Sequence, residues 1–107
     1  MKLSGKTVLI TGSATGIGES MARLCHAEGA NVVIHGKEEK EVRRVAGDLE
    51  ERVLERTDDL SDPASPERLV EATIEVFGRL DAVVNNAAIV SRKDLDASDT
   101  DLFDHDF

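Results

Sequence analysis

Four short runs that contain adjacent apolar residues divide the chain, and a helical repeat of apolar positions follows each of the first three. The runs occupy residues 7–10, 31–34, 53–57 and 80–84. Between them, apolar residues recur at spacings of three and four, which is the pattern of an amphipathic helix. This alternation predicts four strands and three helices in the order β-α-β-α-β-α-β, an order typical of a parallel sheet.

The predicted helices have recognisable ends. Gly29 and Gly78 are placed to end the first and third helices in a left-handed conformation. The third helix can begin at Asp62-Pro63 or at Ser65-Pro66, because proline suits the first turn of a helix, and both starts remain open. The apolar faces expected to pack on the sheet are, helix by helix, Ile17, Met21, Leu24 and Cys25; Val42, Val45, Ala46 and Leu49; and Leu69, Val70, Thr73, Ile74 and Phe77.

The strand order follows from the composition of the strands and the handedness of their connections. The first strand is apolar nearly throughout, which suits a parallel strand covered on both faces, whereas Glu55 and Arg56 give the third strand the charged centre of a sheet edge. Right-handed crossovers then predict the order 3-2-1-4. The expected fold class is α/β, a three-layer doubly wound parallel sheet that binds its ligand beyond the carboxyl ends of strands 1 and 4.

Composition narrows the range of partners. The 107 residues suffice for one domain with a real core. A net charge of -9 would repel nucleic-acid phosphates and anionic lipid, and no apolar run reaches the roughly 20 residues of a membrane helix. The only cysteine, Cys25, fits a reducing compartment, and its place on the apolar side of a predicted helix suits a small buried hydrophobic residue. We therefore expect a cytoplasmic protein with neither nucleic-acid nor membrane partners.

Residues 90–107 form an acidic segment with six aspartates. The series Asp94-x-Asp96-x-Ser98 is similar to a calcium-binding loop, but Asp99 stands in place of the required glycine and His105 in place of the final glutamate. We expect a solvated acidic loop followed by the start of a further helix, and no metal site.

The most informative stretch is Thr11-Gly-Ser-Ala-Thr-Gly-Ile-Gly18, where the first strand breaks into three glycines and a helix begins. Backbone amides in such a loop, together with the positive end of a helix dipole, form a site for an anion such as a diphosphate. The spacing differs from the G-x-G-x-x-G of many dinucleotide-binding proteins. The motif gains specificity from the residues that follow strands 3 and 4.

Three motifs together resemble the short-chain dehydrogenase/reductase family. They are Gly12-x-x-x-Gly16-x-Gly18 after strand 1, Asp59-Leu60-Ser61-Asp62 after strand 3, and Asn85-Asn86-Ala87-Ala88 after strand 4. The resemblance implies a partial Rossmann-like domain over residues 1–107, with strand and helix repeats in 1–89. It also implies reversible hydride transfer between a nicotinamide cofactor and a small-molecule carbonyl or alcohol, and a homo-oligomer for the full-length family member.

The resemblance assigns roles to individual residues of the glycine loop, defined here as residues 12–18. Its three glycines let the backbone approach the cofactor diphosphate. Ser13 and Thr15 offer hydroxyl groups to the adenosine ribose or its phosphate, and Ile17 lies near the diphosphate and the nicotinamide.

The other two motifs are implied to hold the adenosine. Asp59 accepts a hydrogen bond from the adenine amino group and Leu60 flanks the ring. Asn85, Asn86 and Ala87 belong to the segment that ties strand 4 to its neighbours and lines the adenosine pocket, and Ala88 stands where the family usually has glycine.

The end of strand 2 bears on which cofactor is used, because an acidic residue there binds the ribose of NAD and a basic residue accommodates the extra phosphate of NADP. Here the sequence is His35-Gly36-Lys37, so Gly36 takes the usual acidic place and Lys37 can pair with a phosphate. NADP(H) is favoured. NAD(H) stays an alternative because Glu38 and Glu39 follow at once, and Lys37 as a merely solvated residue and His35 without a ligand role also stay open.

The residues that transfer protons in this family are not present. Family members use a tyrosine and a lysine in a Tyr-x-x-x-Lys motif, and the sequence contains no tyrosine. Ser91 and Lys93 follow strand 4 rather than strand 5, so they are not substitutes. We expect no catalytic residue in this chain, which corresponds to the amino-terminal portion of an oxidoreductase and is inactive alone. The alternative is a non-catalytic nucleotide-binding or interaction module that pairs through the open edge of strand 4.

Overall fold

The computed structural model describes residues 2–86, and these form a parallel sheet with helices on both faces. The predicted alternation of strands and helices is confirmed. The elements are β1 (Thr7–Ile10), α1 (Gly16–Ala27), β2 (Asn31–Gly36), α2 (Glu39–Leu49), β3 (Val53–Thr57), α3 (Ser65–Phe77) and β4 (Ala82–Val84).

The strands lie in the predicted order, β3-β2-β1-β4, and every pairing is parallel. Val8 of β1 lies opposite Val32 of β2 on one side and Ala82 of β4 on the other, so β1 is an interior strand as expected. Within residues 2–86, β4 pairs only with β1, and Val83 is 49% exposed.

Two apolar clusters flank the sheet because successive strand residues point to opposite faces. Val8, Ile10, Val32 and Ile34 pack with α1 and α2 on one face. On the other face, Leu9 and Val33 pack with Leu69 of α3. The helices therefore cover both faces, and the expected three-layer α/β arrangement is confirmed.

The predicted buried face of α1 is wrong for two of its four residues. Ile17 is 67% and Leu24 is 68% exposed, whereas the buried residues of this helix are Gly18 and Ala22. The helix lies so close to the glycine loop that small residues occupy the contact. The larger side chains of the helix lie at the edge of this contact or in solvent. Met21 and Cys25 do pack at the edge of the core, and burial raises the pKa of the Cys25 thiol.

The third helix also buries fewer of its apolar residues than the sequence predicted. Leu69 and Thr73 are buried, but Val70 and Ile74 are 37% and 43% exposed. Its start, which the sequence left open, lies at Ser65, with proline in the first turn. The turn before it is held by the Asp62 carboxylate, which accepts a hydrogen bond from the Ala64 amide at 2.9 Å.

Two strand boundaries differ from the prediction. β2 continues through His35 and Gly36, which pair with Arg56 and Thr57 of β3. β4 begins at Ala82 rather than at residue 80. The extension of β2 matters for function, because it carries His35 to the carboxyl edge of the sheet while keeping its backbone in the ladder.

The described residues contain no helix that could cross a bilayer; the longest, α3, has 13 residues.

Candidate functional site

A pocket of about 590 Å³ lies at the carboxyl edge of the sheet, within the usual size range of small-molecule sites. Residues that follow all four strands line it, together with one residue of α2. They are Gly12, Ala14, Thr15, Gly16 and Ile17 after β1; His35, Gly36, Lys37 and Glu38 at the end of β2; Glu41 of α2; Asp59 and Leu60 after β3; and Asn86 after β4.

Glycine is required at three points of the glycine loop. Gly12 and Gly16 adopt φ values of 64° and 60°, which L side chains rarely tolerate. A Cβ on Gly18 would collide with the Gly12 carbonyl oxygen and lie 2.6 Å from the Asn86 amide nitrogen. The loop therefore sits directly against the first turn of α1, and the start of that helix lines the pocket.

The first turn of α1 presents backbone amides without a side-chain cap. Thr15, the N-cap residue, makes no capping hydrogen bond with its side chain. Thr15, Gly16 and Ile17 all line the pocket. Free amides at a helix N-terminus carry partial positive charge, so this wall of the pocket suits an anionic group.

The end of β4 is tied to the glycine loop by side-chain hydrogen bonds. Asn86 is 4% exposed, and its side-chain amide donates to the Gly12 carbonyl oxygen at 3.0 Å. The Thr11 hydroxyl donates to the Asn85 side-chain oxygen at 3.2 Å. The glycine loop and the end of strand 4 thus meet where the topology required; Ala87 and Ala88 lie outside the described residues.

His35 links the glycine loop to the end of β3. The Gly12 amide donates to its Nδ1 at 3.0 Å, and its Nε2 lies 3.2 Å from the Asp58 carbonyl oxygen. Because Nδ1 accepts, the ring is neutral and carries its proton on Nε2, which donates to Asp58. The side chain is buried, and burial lowers its pKa. Apart from the place of His35 at the end of the strand next to β1, no local pattern in the sequence predicts this role.

Ser13 lies beneath the loop rather than in the pocket. Its amide donates to the His35 carbonyl oxygen at 2.7 Å, and its hydroxyl accepts a hydrogen bond from the His35 amide at 2.8 Å. It is fully buried, and Ala14 lines the pocket beside it. Gly18 is also buried and does not line the pocket. The other four residues predicted in this loop do line it.

Asp59 and Leu60 occupy the predicted wall after β3. The Asp59 carboxylate accepts a hydrogen bond from the Ser61 amide at 2.9 Å, and its pKa is lowered by Ser61 and, more weakly, by the positive charge of Lys37. Leu60 packs against the core cluster around Leu9 while also lining the pocket. The Leu60 side chain beside the exposed Asp59 carboxylate suits an aromatic ring that carries hydrogen-bond donors at its edge.

The charges around the pocket come mostly from β2 and α2. Lys37 is the one cationic residue among the described residues that line it, and Glu38 and Glu41 line the same wall. Arg44 lies behind them, where it donates to the Ala14 carbonyl oxygen at 3.2 Å and pairs with Glu19 at 3.0 Å. Glu41 and Ala14 are lining residues that sequence reasoning missed, since only the packing of α2 against the loop brings them there.

No group of three or more His, Cys, Asp or Glu side chains within residues 2–86 is arranged to hold a metal ion. The aspartate series that is similar to a calcium loop lies outside the described residues.

Comparison with known proteins agrees with this geometry. The chain is 41% identical over 96 residues to the L-rhamnose 1-dehydrogenase (NAD(P)(+)) of Azotobacter vinelandii, a match that covers 83% of this chain and 38% of that protein. It is 39% identical over 89 residues to a sorbitol dehydrogenase of Cereibacter sphaeroides, covering 83% of this chain and 35% of the relative. The chain thus spans less than two fifths of these relatives.

A solved structure shows the same fold. The 3-ketoacyl-(acyl-carrier-protein) reductase of Brucella melitensis, crystallised with NADH, superposes with a TM-score of 0.73 at 38% identity, over 76% of this chain and 33% of that one. The family model for short chain dehydrogenases matches residues 6–106. With nearly the whole chain matched, and with the glycine loop and the ends of strands 3 and 4 gathered at one pocket, this protein belongs to the short chain dehydrogenase family.

Proposed function

We propose that this chain forms the cofactor-binding part of an NAD(P)(H)-dependent oxidoreductase, which transfers hydride reversibly between the nicotinamide and a carbonyl or alcohol substrate. The observation that carries the proposal is the convergence of all four strand ends on one pocket of about 590 Å³. When bound, the nicotinamide supplies the hydride or accepts it. The residues of this chain bind and orient the cofactor.

Each wall of the pocket matches a different part of such a cofactor. The uncapped amides at the start of α1, reached through Gly12 and Gly16, suit the diphosphate. Thr15 is exposed and can offer its hydroxyl to the ribose. Asp59 and Leu60 fit the polar edge and the face of the adenine.

The remaining predicted contacts have different support. Ile17 is exposed and lines the pocket, which supports a contact near the nicotinamide, and Asn86 also lines the pocket, which supports a contact with the adenosine. Ser13 shapes the loop from beneath instead of offering its hydroxyl. Ala87, Ala88, a cytoplasmic location and a homo-oligomeric full-length protein remain predictions from the sequence.

Lys37 favours NADP(H) over NAD(H). Its ammonium group is exposed and lines the pocket, and its charge reaches the Asp59 carboxylate. The nearby guanidinium of Arg44 is already paired with Glu19 and Glu41, at 3.0 and 2.8 Å. Of these two cations in the described part of the chain, Lys37 is therefore the one available to meet a ribose phosphate, while Glu38 on the same wall supports the NAD(H) alternative.

Titration calorimetry with NADPH and NADH tests the proposal. We expect NADPH to bind more tightly, and Lys37→Ala to weaken NADPH by about two- to fivefold, as for one exposed ion pair, while NADH changes little. Lys40→Ala, an exposed change on α2 away from the pocket, is the matched control and should alter neither affinity.

Each result of the titration bears on one part of the proposal. Binding of neither nucleotide would overturn cofactor binding itself. Tighter NADH binding, with no selective effect of Lys37→Ala, would overturn only the NADP(H) preference. A carbonyl-reduction assay completes the test: turnover by these 107 residues, which include no tyrosine, would contradict the expectation that proton transfer requires residues outside them.

A further inference from the structure

We infer that His35 is the positioning residue of the cofactor site: its neutral imidazole fixes the Gly12 amide and so sets the conformation of the glycine loop. The inference rests on the proposed function, because it concerns the loop that would receive the diphosphate. It concerns a side chain that the sequence assigned no part in the site.

Both peptide groups of Gly12 are held by side chains from the ends of the neighbouring strands. Its amide donates to His35 Nδ1 at 3.0 Å, and its carbonyl oxygen accepts from the Asn86 amide at 3.0 Å. Its φ is 64°, and because glycine adopts positive and negative φ values about equally readily, contacts outside the residue are needed to hold it there. With both groups occupied, Gly12 anchors the loop, and anion binding is left to the amides at the start of α1.

The other end of the ring is hydrogen-bonded to Asp58, which is itself held by two further contacts. Nε2 donates to the Asp58 carbonyl oxygen at 3.2 Å, and the Asp58 amide donates to the Gly36 carbonyl oxygen at 3.0 Å. The Asp58 carboxylate pairs with Arg68 at 2.7 Å. The imidazole therefore connects the backbone of Gly12, after β1, to the backbone of Asp58, after β3.

The backbone of His35 holds the next loop residue as well. Its amide donates to the Ser13 hydroxyl at 2.8 Å, and its carbonyl oxygen accepts from the Ser13 amide at 2.7 Å. One residue of β2 thus fixes two consecutive residues of the loop, 22 and 23 positions earlier in the chain. Only the ring contact depends on the identity of the side chain, so substitution can separate the two.

Two substitutions distinguish positioning from mere packing. His35→Asn keeps an acceptor, because the asparagine oxygen is attached to Cγ as Nδ1 is, but it loses the bond to Asp58. His35→Leu fills similar space and leaves the partly buried Gly12 amide without its acceptor. A loop that spends less time in its binding conformation weakens apparent affinity by the fraction lost. We expect His35→Leu to bind NADPH about tenfold more weakly, and His35→Asn to stay within about threefold of the original protein.

Calorimetric titration with NADPH and NADH, with thermal unfolding of each variant, provides the measurement. Nitrogen-15 spectra of the unsubstituted protein add a readout that needs no variant: the imidazole should show the neutral Nε2-protonated tautomer near pH 7. Affinity of His35→Leu within twofold of the original, equal weakening in both variants, or the Nδ1-protonated tautomer would overturn the inference. If the original protein binds neither nucleotide, the proposed function fails, while the tautomer still decides whether His35 accepts from Gly12.

Discussion

At the scale of single residues, the site depends on close packing around two glycines. Gly18 faces the Gly12 carbonyl oxygen and the Asn86 amide, and Gly36 lies 3.0 Å and 3.1 Å, measured from an added Cβ, from Val42 and Ala14. These glycines let α1 and α2 approach the glycine loop. The pocket wall is therefore closely packed at both glycines, against backbone and the Asn86 amide at Gly18 and against apolar side chains at Gly36.

Replacing Gly18 by alanine should break this contact. The added methyl group meets backbone that cannot move independently, so we expect the free energy of unfolding to fall by at least about 1–3 kcal/mol and nucleotide binding to be lost. Gly47→Ala is the control, because it lies in α2 with no atom near the added methyl group, and it should gain about 0.5–1 kcal/mol. Chemical denaturation measures both, and a Gly18→Ala protein as stable as the original would refute the contact.

His35 should make stability sensitive to mild acid. Burial lowers its pKa in the folded protein below the ordinary 6.5, and the hydrogen bond to the Asp58 carbonyl and the Asp58 charge offset this only in part. The unfolded chain therefore takes up the proton first, so the free energy of unfolding should decrease as pH falls below about 6.5.

Denaturation of the original protein and of His35→Asn at several pH values between about 7.5 and 5 checks this expectation. The difference between the two curves isolates His35, because all other titrating groups are common to both proteins. As pH falls, the free energy of unfolding of the original protein should decrease relative to that of His35→Asn. A constant gap would show that the ring titrates alike in the folded and unfolded states.

At the scale of elements, the two inner strands β1 and β2 are buried as their apolar runs predicted, whereas the helices bury less of their apolar faces than expected. A strand inside a parallel sheet is covered on both faces, so all of its apolar residues are buried. Their burial can therefore be predicted without knowing which residue faces which side of the sheet. A helix buries only the arc that its distance from the sheet allows. Because α1 packs through Gly18 and Ala22, its larger residues Ile17 and Leu24 are exposed.

Two leucines allow this contrast to be measured with one chemical change. Leu9 in β1 is 2% exposed and Leu24 in α1 is 68% exposed. Leu9→Ala should cost about 2–5 kcal/mol of unfolding free energy, whereas Leu24→Ala should change it by less than about 0.5 kcal/mol. Equal losses in urea denaturation would mean that Leu24 is covered in solution.

At the scale of the whole molecule, the sheet order brings the functional groups together. Gly12 and Asn86 are 74 positions apart, yet their contact holds the loop because β4 lies beside β1. The same pairing lets the Thr7 amide donate to the Asp81 carboxylate at 2.8 Å, and Arg79 and this bond lower the pKa of Asp81 to about 2. With a net charge of -9, the molecule offers a nucleotide only local positive potential, from Lys37 and the start of α1.

The sequence by itself determined the four strands, the three helices, the sheet order and the glycine loop, because these depend on local backbone preference and on which runs are apolar on both faces. Only the tertiary structure decided that Ser13 turns inward, that His35 joins Gly12 to Asp58, and that Leu24 stays in solvent. Those outcomes depend on the distance between packed elements and on hydrogen-bond partners more than 20 positions away, and neither quantity is written in a local pattern.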